Sequence, residues 1–153
     1  MPFDVTAAEL RRRFAATPEQ VFAAFADAAL VARWLRPAPE IGLTVEAFDF
    51  RVSGLYRFVY HLPDAGSVSI GGTFRLIDRP WRIVFSWIIE PPDEHAGIDS
   101  EVTVIISPDG GGTDLLIRHE KLQRSDAIAR HAEGWRGAIE LLARLLEDRS
   151  DAR

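Results

Sequence analysis

Residues 125–149 read SDAIARHAEGWRGAIELLARLLEDR, and the periodicity of this stretch decides the architecture. Ile128, Ala132, Trp135, Ile139, Leu142 and Leu146 recur at steps of three and four, with Ala138 and Leu145 beside them. Those steps put them on one wide apolar stripe of an α-helix. Ser125 is a candidate N-cap and Asp126 a first-turn acid. Arg130, Glu133, Arg136, Glu140, Arg144 and Glu147 fall on the other face, with opposite charges three or four apart. Gly134 and Gly137 flank Trp135 and Arg136, each costing about 1 kcal/mol relative to Ala inside a helix. Glycines so placed predict the close approach of other backbone or of a ligand. His131 lies one turn before Trp135, so an imidazole and an indole share the buried face. A helix with a stripe this wide has to lie across something large and apolar.

The chain before it supplies that surface. Leu10 to Ala15 reads as a strand, and Thr17-Pro18-Glu19-Gln20 as a helix start with a capping box and Pro at the first helical position. Val21, Phe22 and Phe25 give that short helix its buried side. Asp27 caps a second one, Ala28 to Leu35, in which Trp34 and Leu35 should be covered. From Leu43 to Glu120 the period changes to two: Phe48, Phe50 and Val52 alternate with Asp49 and Arg51, and Tyr56, Phe58 and Tyr60 with Arg57 and Val59. Ile70 to Ile77 continues the pattern, with Gly71-Gly72 marking a bulge or a close contact. Trp81 to Ile89 is apolar on both faces, as a central strand is. Glu101 to Ile106 and Thr113 to Glu120 are joined through Pro108-Asp109-Gly110-Gly111-Gly112, a hairpin turn. Short connections and steady alternation predict an antiparallel meander. The longest loop, Glu90 to Ile98, is polar and is a candidate lid or mouth. The expected fold is therefore α+β: one strand, two short helices, six strands and a long C-terminal helix filling the concavity of a curved antiparallel sheet.

The 153 residues predict a single domain spanning 1–153, with 47% hydrophobic and 27% charged residues. A net charge of −5 argues against nucleic acid or an anionic membrane as partner. The Arg11-Arg12-Arg13 run reads as a half-exposed edge. Cysteine is absent, which removes disulfides, thiolate metal sites and cysteine nucleophiles. With no signal-like leader and no apolar run approaching ~18 residues, a cytoplasmic location is the expectation.

Several segments resemble those of one family, in order and over about residues 10 to 147. They are Ala16-Thr17-Pro18-Glu19-Gln20-Val21-Phe22, Arg33-Trp34-Leu35-Arg36-Pro37, Asp49-Phe50-Arg51-Val52-Ser53-Gly54, Gly72-Thr73-Phe74, Pro80 with Phe85-Ser86-Trp87, Gly112-Thr113 with His119, and His131 followed by Glu133-Gly134-Trp135. Together they are similar to the activator of heat-shock-protein-90-ATPase homologue family, within the START-like (SRPBCC) superfamily. Ser53 departs from it, standing where the family usually has glycine. The resemblance implies a helix-grip fold and, across the superfamily, hydrophobic small molecules bound between sheet and long helix, with cyclases or hydrolases in some branches. It also implies a possible chaperone or other protein partner, since the family takes its name from a co-chaperone.

On these grounds the expected ligand site is an aromatic concavity walled by Trp34, Phe48, Phe50, Tyr56, Phe58, Tyr60, Phe74, Phe85, Trp87, His119, His131 and Trp135, with Tyr and His orienting a polar group. In a sheet that grips a helix, core and pocket wall are the same residues, so packing alone is the competing account of this set. His119 and His131 are also the natural acid–base candidates, against a purely structural role in which both are hydrogen-bonded. No nucleophile elbow, phosphate loop or zinc-helix motif is present. Asp93, Glu94 and His95 read as solvated loop charges, and neither metal nor cofactor is expected. A monomer and a homodimer are both open.

Overall fold

A computed structural model describes residues 7–151, with side chains through Glu147. Seven strands and three helices follow in the expected order: β1 (Ala8–Phe14), α1 (Pro18–Ala26), α2 (Ala28–Trp34), β2 (Gly42–Phe48), β3 (Leu55–His61), β4 (Ser67–Asp78), β5 (Arg82–Ile89), β6 (Ser100–Asp109), β7 (Gly112–Glu120) and α3 (Ser125–Asp151). The strands form one antiparallel sheet in the order β1-β7-β6-β5-β4-β3-β2. Register breaks between Val45 and Ala47 and between Phe74 and Leu76 help to curve it. This is the helix-grip arrangement: a curved sheet closed on its concave side by α3.

The local chemistry explains the start of each early element. Thr17 accepts from Gln20 N while the Gln20 side chain accepts from Thr17 N, the predicted capping box. Asp27 accepts from Ala29 N and Leu30 N and so starts α2. Trp34 and Leu35 are buried. The β6–β7 turn is the two-residue Gly110-Gly111 loop, both at positive φ, closing on the Asp109–Gly112 pair. The arginine run lies on edge strand β1, where Arg11 faces Asp114, Arg12 pairs with Glu140 and Arg13 with Asp109.

Four expectations shift. β1 starts and ends earlier than Leu10–Ala15, because Ala8 through Phe14 pair continuously with His119 back to Thr113. Ser125 is the first residue of α3 and not its cap, since Ile128 N already bonds to the Arg124 carbonyl. Phe50 and Val52 lie beyond β2: Arg51 N bonds to Asp49 O and Gly54 N to Arg51 O, folding residues 49–54 into a tight turn that leaves Val52 exposed. Trp81 sits exposed in the turn before β5, which opens at Arg82. Of the bulge or close contact expected at Gly71-Gly72, the structure shows the close contact: a Cβ on Gly72 would stand 2.8 Å from the Ser86 carbonyl carbon.

Ser53 adopts φ 70°, the left-handed region that favours glycine. Ser53→Gly is expected to raise folding stability by about 0.5–1 kcal/mol, read from the urea midpoint at unchanged slope.

The core is continuous between sheet and helices. Helix α3 contributes Trp135, Ala138, Ile139, Leu142, Ala143, Leu145 and Leu146, all buried, against Phe58, Phe85, Val102, Val104, Leu115 and Ile117 from the sheet and Phe22 and Trp34 from the short helices. Its charged face, Arg130, Glu133, Arg136, Glu140, Arg144 and Glu147, is exposed. Among the described residues no helix is long and apolar enough to cross a membrane.

Candidate functional site

The two α3 glycines stand against residues 35–41, the segment between α2 and β2. Arg36 shapes that segment by donating to the carbonyls of Arg33, Pro39 and Ile41. This brings the Pro37 backbone down onto the helix at Gly137, where a Cβ would lie 2.9 Å from the Pro37 carbonyl carbon and closer still to its oxygen. At Gly134 a Cβ would meet only Pro37 Cβ, at an ordinary 3.7 Å. One glycine thus admits backbone, and the other opens space.

That space is a cavity of about 220 Å³. Its walls are Tyr60 from β3, Leu62 beyond it, Val68 and Ile70 from β4, Trp87 and Ile89 from β5, Leu35, Arg36, Pro37 and Ile41 from the α2–β2 segment, and Arg130, His131, Gly134, Trp135 and Ala138 from α3. The lining is almost wholly apolar. The loop 90–98 reaches α3 beside it: both carboxylate oxygens of Asp93 receive the Arg130 guanidinium at 2.8 Å. That pair holds the Asp93 carboxyl down at about 2. His95, expected among solvated charges, is buried in this loop, and Glu94 remains exposed.

Of the twelve expected wall residues, the structure brings Tyr60, Trp87, His131 and Trp135 to this cavity. His119 lies directly behind it and is 0% exposed. Trp135 Nε1 donates to His119 Nδ1 at 3.0 Å, so Nδ1 carries the lone pair and Nε2 the proton. Nε2–H donates to Ser100 Oγ at 2.8 Å, and the Ser100 hydroxyl donates to the Trp87 carbonyl at 2.6 Å. Burial lowers the His119 pKa well below the usual imidazole value, fixing this neutral tautomer. Both its nitrogens are committed, so His119 holds Trp135 and the Trp87 backbone in place and has no proton to exchange with a ligand.

His131 is different. Its ring centroid lies 4.7 Å from that of His119, and Nδ1 donates to the Ala127 carbonyl at 2.7 Å. Burial lowers its pKa too, which leaves a lone pair on Nε2. Trp87 is 6% exposed, and no described protein group accepts from its Nε1–H. Tyr60 spends its hydroxyl on the Leu35 carbonyl at 2.8 Å, which anchors the α2–β2 segment to β3. Burial raises the Tyr60 pKa far above the ordinary phenol range, so it stays a neutral donor.

The remaining expected residues lie elsewhere. Trp34 is a core residue, donating Nε1–H to the Ala24 carbonyl and packing edge-on against Phe25. Phe48, Phe50, Tyr56, Phe74 and Phe85 surround a gap of only about 20 Å³, the scale of one water. Phe58 packs between Tyr56, Tyr60 and Trp87. The aliphatic walls Val68, Ile70 and Ile89 lie outside the expected set, because aliphatic side chains on an alternating strand read equally well as packed core. Their signal was the pairing itself: Val68 faces Tyr60 and Ile70 faces Ile89 across the strands. No metal-binding group of His, Asp or Glu occurs among the described residues.

Comparison with known proteins agrees with this geometry. The family profile described as "Activator of Hsp90 ATPase homolog 1-like protein" matches residues 15–147. None of the curated proteins matches significantly. A crystal structure of a Chromobacterium violaceum protein superposes with a TM-score of 0.84 at 27% identity, covering 96% of this chain and 99% of that one. A Rhodobacter sphaeroides protein gives 0.81 at 30% identity, covering 97% of each. The AHSA1 protein of Silicibacter pomeroyi gives 0.82 at 26% identity, covering 92% of this chain and 97% of its own. A helix that grips the sheet, a profile match over nearly the whole chain and like-sized relatives lead to one assignment: the chain belongs to the Activator of Hsp90 ATPase homolog 1-like family.

Proposed function

We propose that this protein binds a compact, largely apolar small molecule in the cavity between the β3–β5 face and α3. The observation that carries the reading is the cavity itself. Protein interiors leave few voids larger than a water molecule, yet about 220 Å³ stays open here beneath a helix that places glycine, not a larger residue, at position 134. The volume falls below the ~300–1,000 Å³ of sites for drug-sized ligands, which favours a small occupant. A protein-interaction module would call for a contiguous exposed apolar patch. The large exposed apolar side chains among the described residues are Val52 and Leu55 at one turn and Trp81 at another.

The test is mass spectrometry of gently purified protein under native and then denaturing conditions. A reproducible apolar molecule released only on denaturation is the expected result. Gly134→Leu, whose side chain grows from the cavity wall, is expected to fold and to emerge without that molecule. Equal retention by wild type and Gly134→Leu would place the molecule elsewhere and overturn the reading.

A further inference from the structure

Two residues of the cavity wall, Trp87 and His131, each carry a ring nitrogen with no counterpart among the described residues. The Trp87 Nε1–H is a buried donor without an acceptor among the described residues. His131 donates through Nδ1 to the Ala127 carbonyl, and no described group pairs with its Nε2. The other polar wall residues are already engaged: Tyr60 with Leu35, Arg36 with three backbone carbonyls, and Arg130 with Asp93. A buried donor without a partner costs roughly 1–3 kcal/mol, so a ligand that supplies the partner gains what one that cannot forfeits. The Trp87 and His131 ring centroids lie 6.4 Å apart with planes at 80°. Both rings border the same volume.

The donor and the acceptor together define the ligand group. A carbonyl or ether oxygen accepts from Trp87 but presents lone pairs to the His131 lone pair. An ammonium group donates to His131 but has no lone pair to accept from Trp87, and it brings a full charge into the cavity. A carboxylate brings a full charge into an apolar cavity whose imidazole is neutral. A hydroxyl does both jobs with one atom, accepting from indole and donating to imidazole. We infer that the cavity selects a compact apolar alcohol or phenol whose hydroxyl is held between Trp87 Nε1 and His131 Nε2. At interior packing density the volume admits on the order of ten non-hydrogen atoms. This inference rests on the proposed ligand-binding function and specifies the ligand's polar group.

The experiment compares 4-propylphenol, 4-propylanisole and propylbenzene on the wild-type protein by isothermal titration calorimetry. The three share an apolar body; the first donates and accepts, the second only accepts, and the third does neither. The phenol is expected to bind about tenfold tighter than the ether and still tighter relative to the hydrocarbon. Trp87→Phe, which keeps an aromatic wall and removes the donor, is expected to reduce the phenol's affinity relative to that of propylbenzene about tenfold. His131→Phe removes the acceptor and is expected to bring phenol and ether to equal affinity. Binding of all three with equal affinity overturns the inference about the hydroxyl while leaving an apolar ligand site standing. Binding of none of them, with the wild-type fold intact, overturns both.

Discussion

Gly137→Ala is expected to cost at least about 3 kcal/mol of folding stability. The added Cβ would stand 2.9 Å from the Pro37 carbonyl carbon and nearer to its oxygen. Overpacking by one methylene usually costs ~1–3 kcal/mol because side chains can rotate away. Here the obstacle is backbone, held by the Arg36 guanidinium on the Pro39 and Ile41 carbonyls and by Tyr60 on Leu35. Relief requires helix and segment to separate, which opens the cavity they close. The control is Gly134→Ala, one turn away. Its Cβ meets Pro37 Cβ at 3.7 Å, and relief of the helical glycine penalty is expected to stabilise by up to about 1 kcal/mol. Urea denaturation of the two variants decides the matter: opposite signs are expected, and a Gly137→Ala midpoint near wild type would mean that the segment yields freely.

That contrast also marks how far the sequence could be read. Two glycines inside a strong helical stripe announce a close approach, because the helical penalty needs an offset. Which glycine receives backbone and which faces a void depends on the path of residues 35–41, and that path is set by Arg36 bonds to carbonyls that no periodicity encodes. The element order was legible for similar reasons: capping residues at Thr17 and Asp27, alternation from Leu43 to Glu120 and the Gly110-Gly111 turn are local signals. The site was less so. Alternation assigns a residue to the concave face but not to a position along it. Phe48, Phe50, Phe74 and Phe85 close on one another at one end, and Tyr60, Trp87, His131 and Trp135 surround the open volume at the other. His95 illustrates the opposite failure. A polar loop read as solvated carries one buried imidazole, because Asp93 ties the loop onto α3 through Arg130.

His119→Ala is expected to destabilise the protein by about 3 kcal/mol, through a cavity in the core and through the Trp135 indole N–H left without its acceptor. His119→Phe separates the two contributions. It fills the volume and still orphans the indole, so a loss of roughly 1–3 kcal/mol is expected from the hydrogen bond alone. In a double-mutant cycle with Trp135→Phe, the combined loss should fall short of the sum, since the second change removes the donor that the first left unpaired. Strict additivity would mean that the bond is not formed. The same histidine shapes the response to pH. Burial lowers the His119 and His131 pKa values below the ordinary imidazole range, so as pH falls through that range the unfolded chain takes up protons before the folded chain does. Their contribution is fully present above about pH 6.5 and is lost as pH falls below it, by up to about 2 kcal/mol per histidine between pH 7 and 5. His119→Phe should therefore show a shallower fall over that interval than wild type in urea titrations at each pH. Parallel curves would show that His119 takes up a proton in the folded chain as readily as in the unfolded one, a result at odds with an imidazole whose two nitrogens are already spent on Trp135 and Ser100.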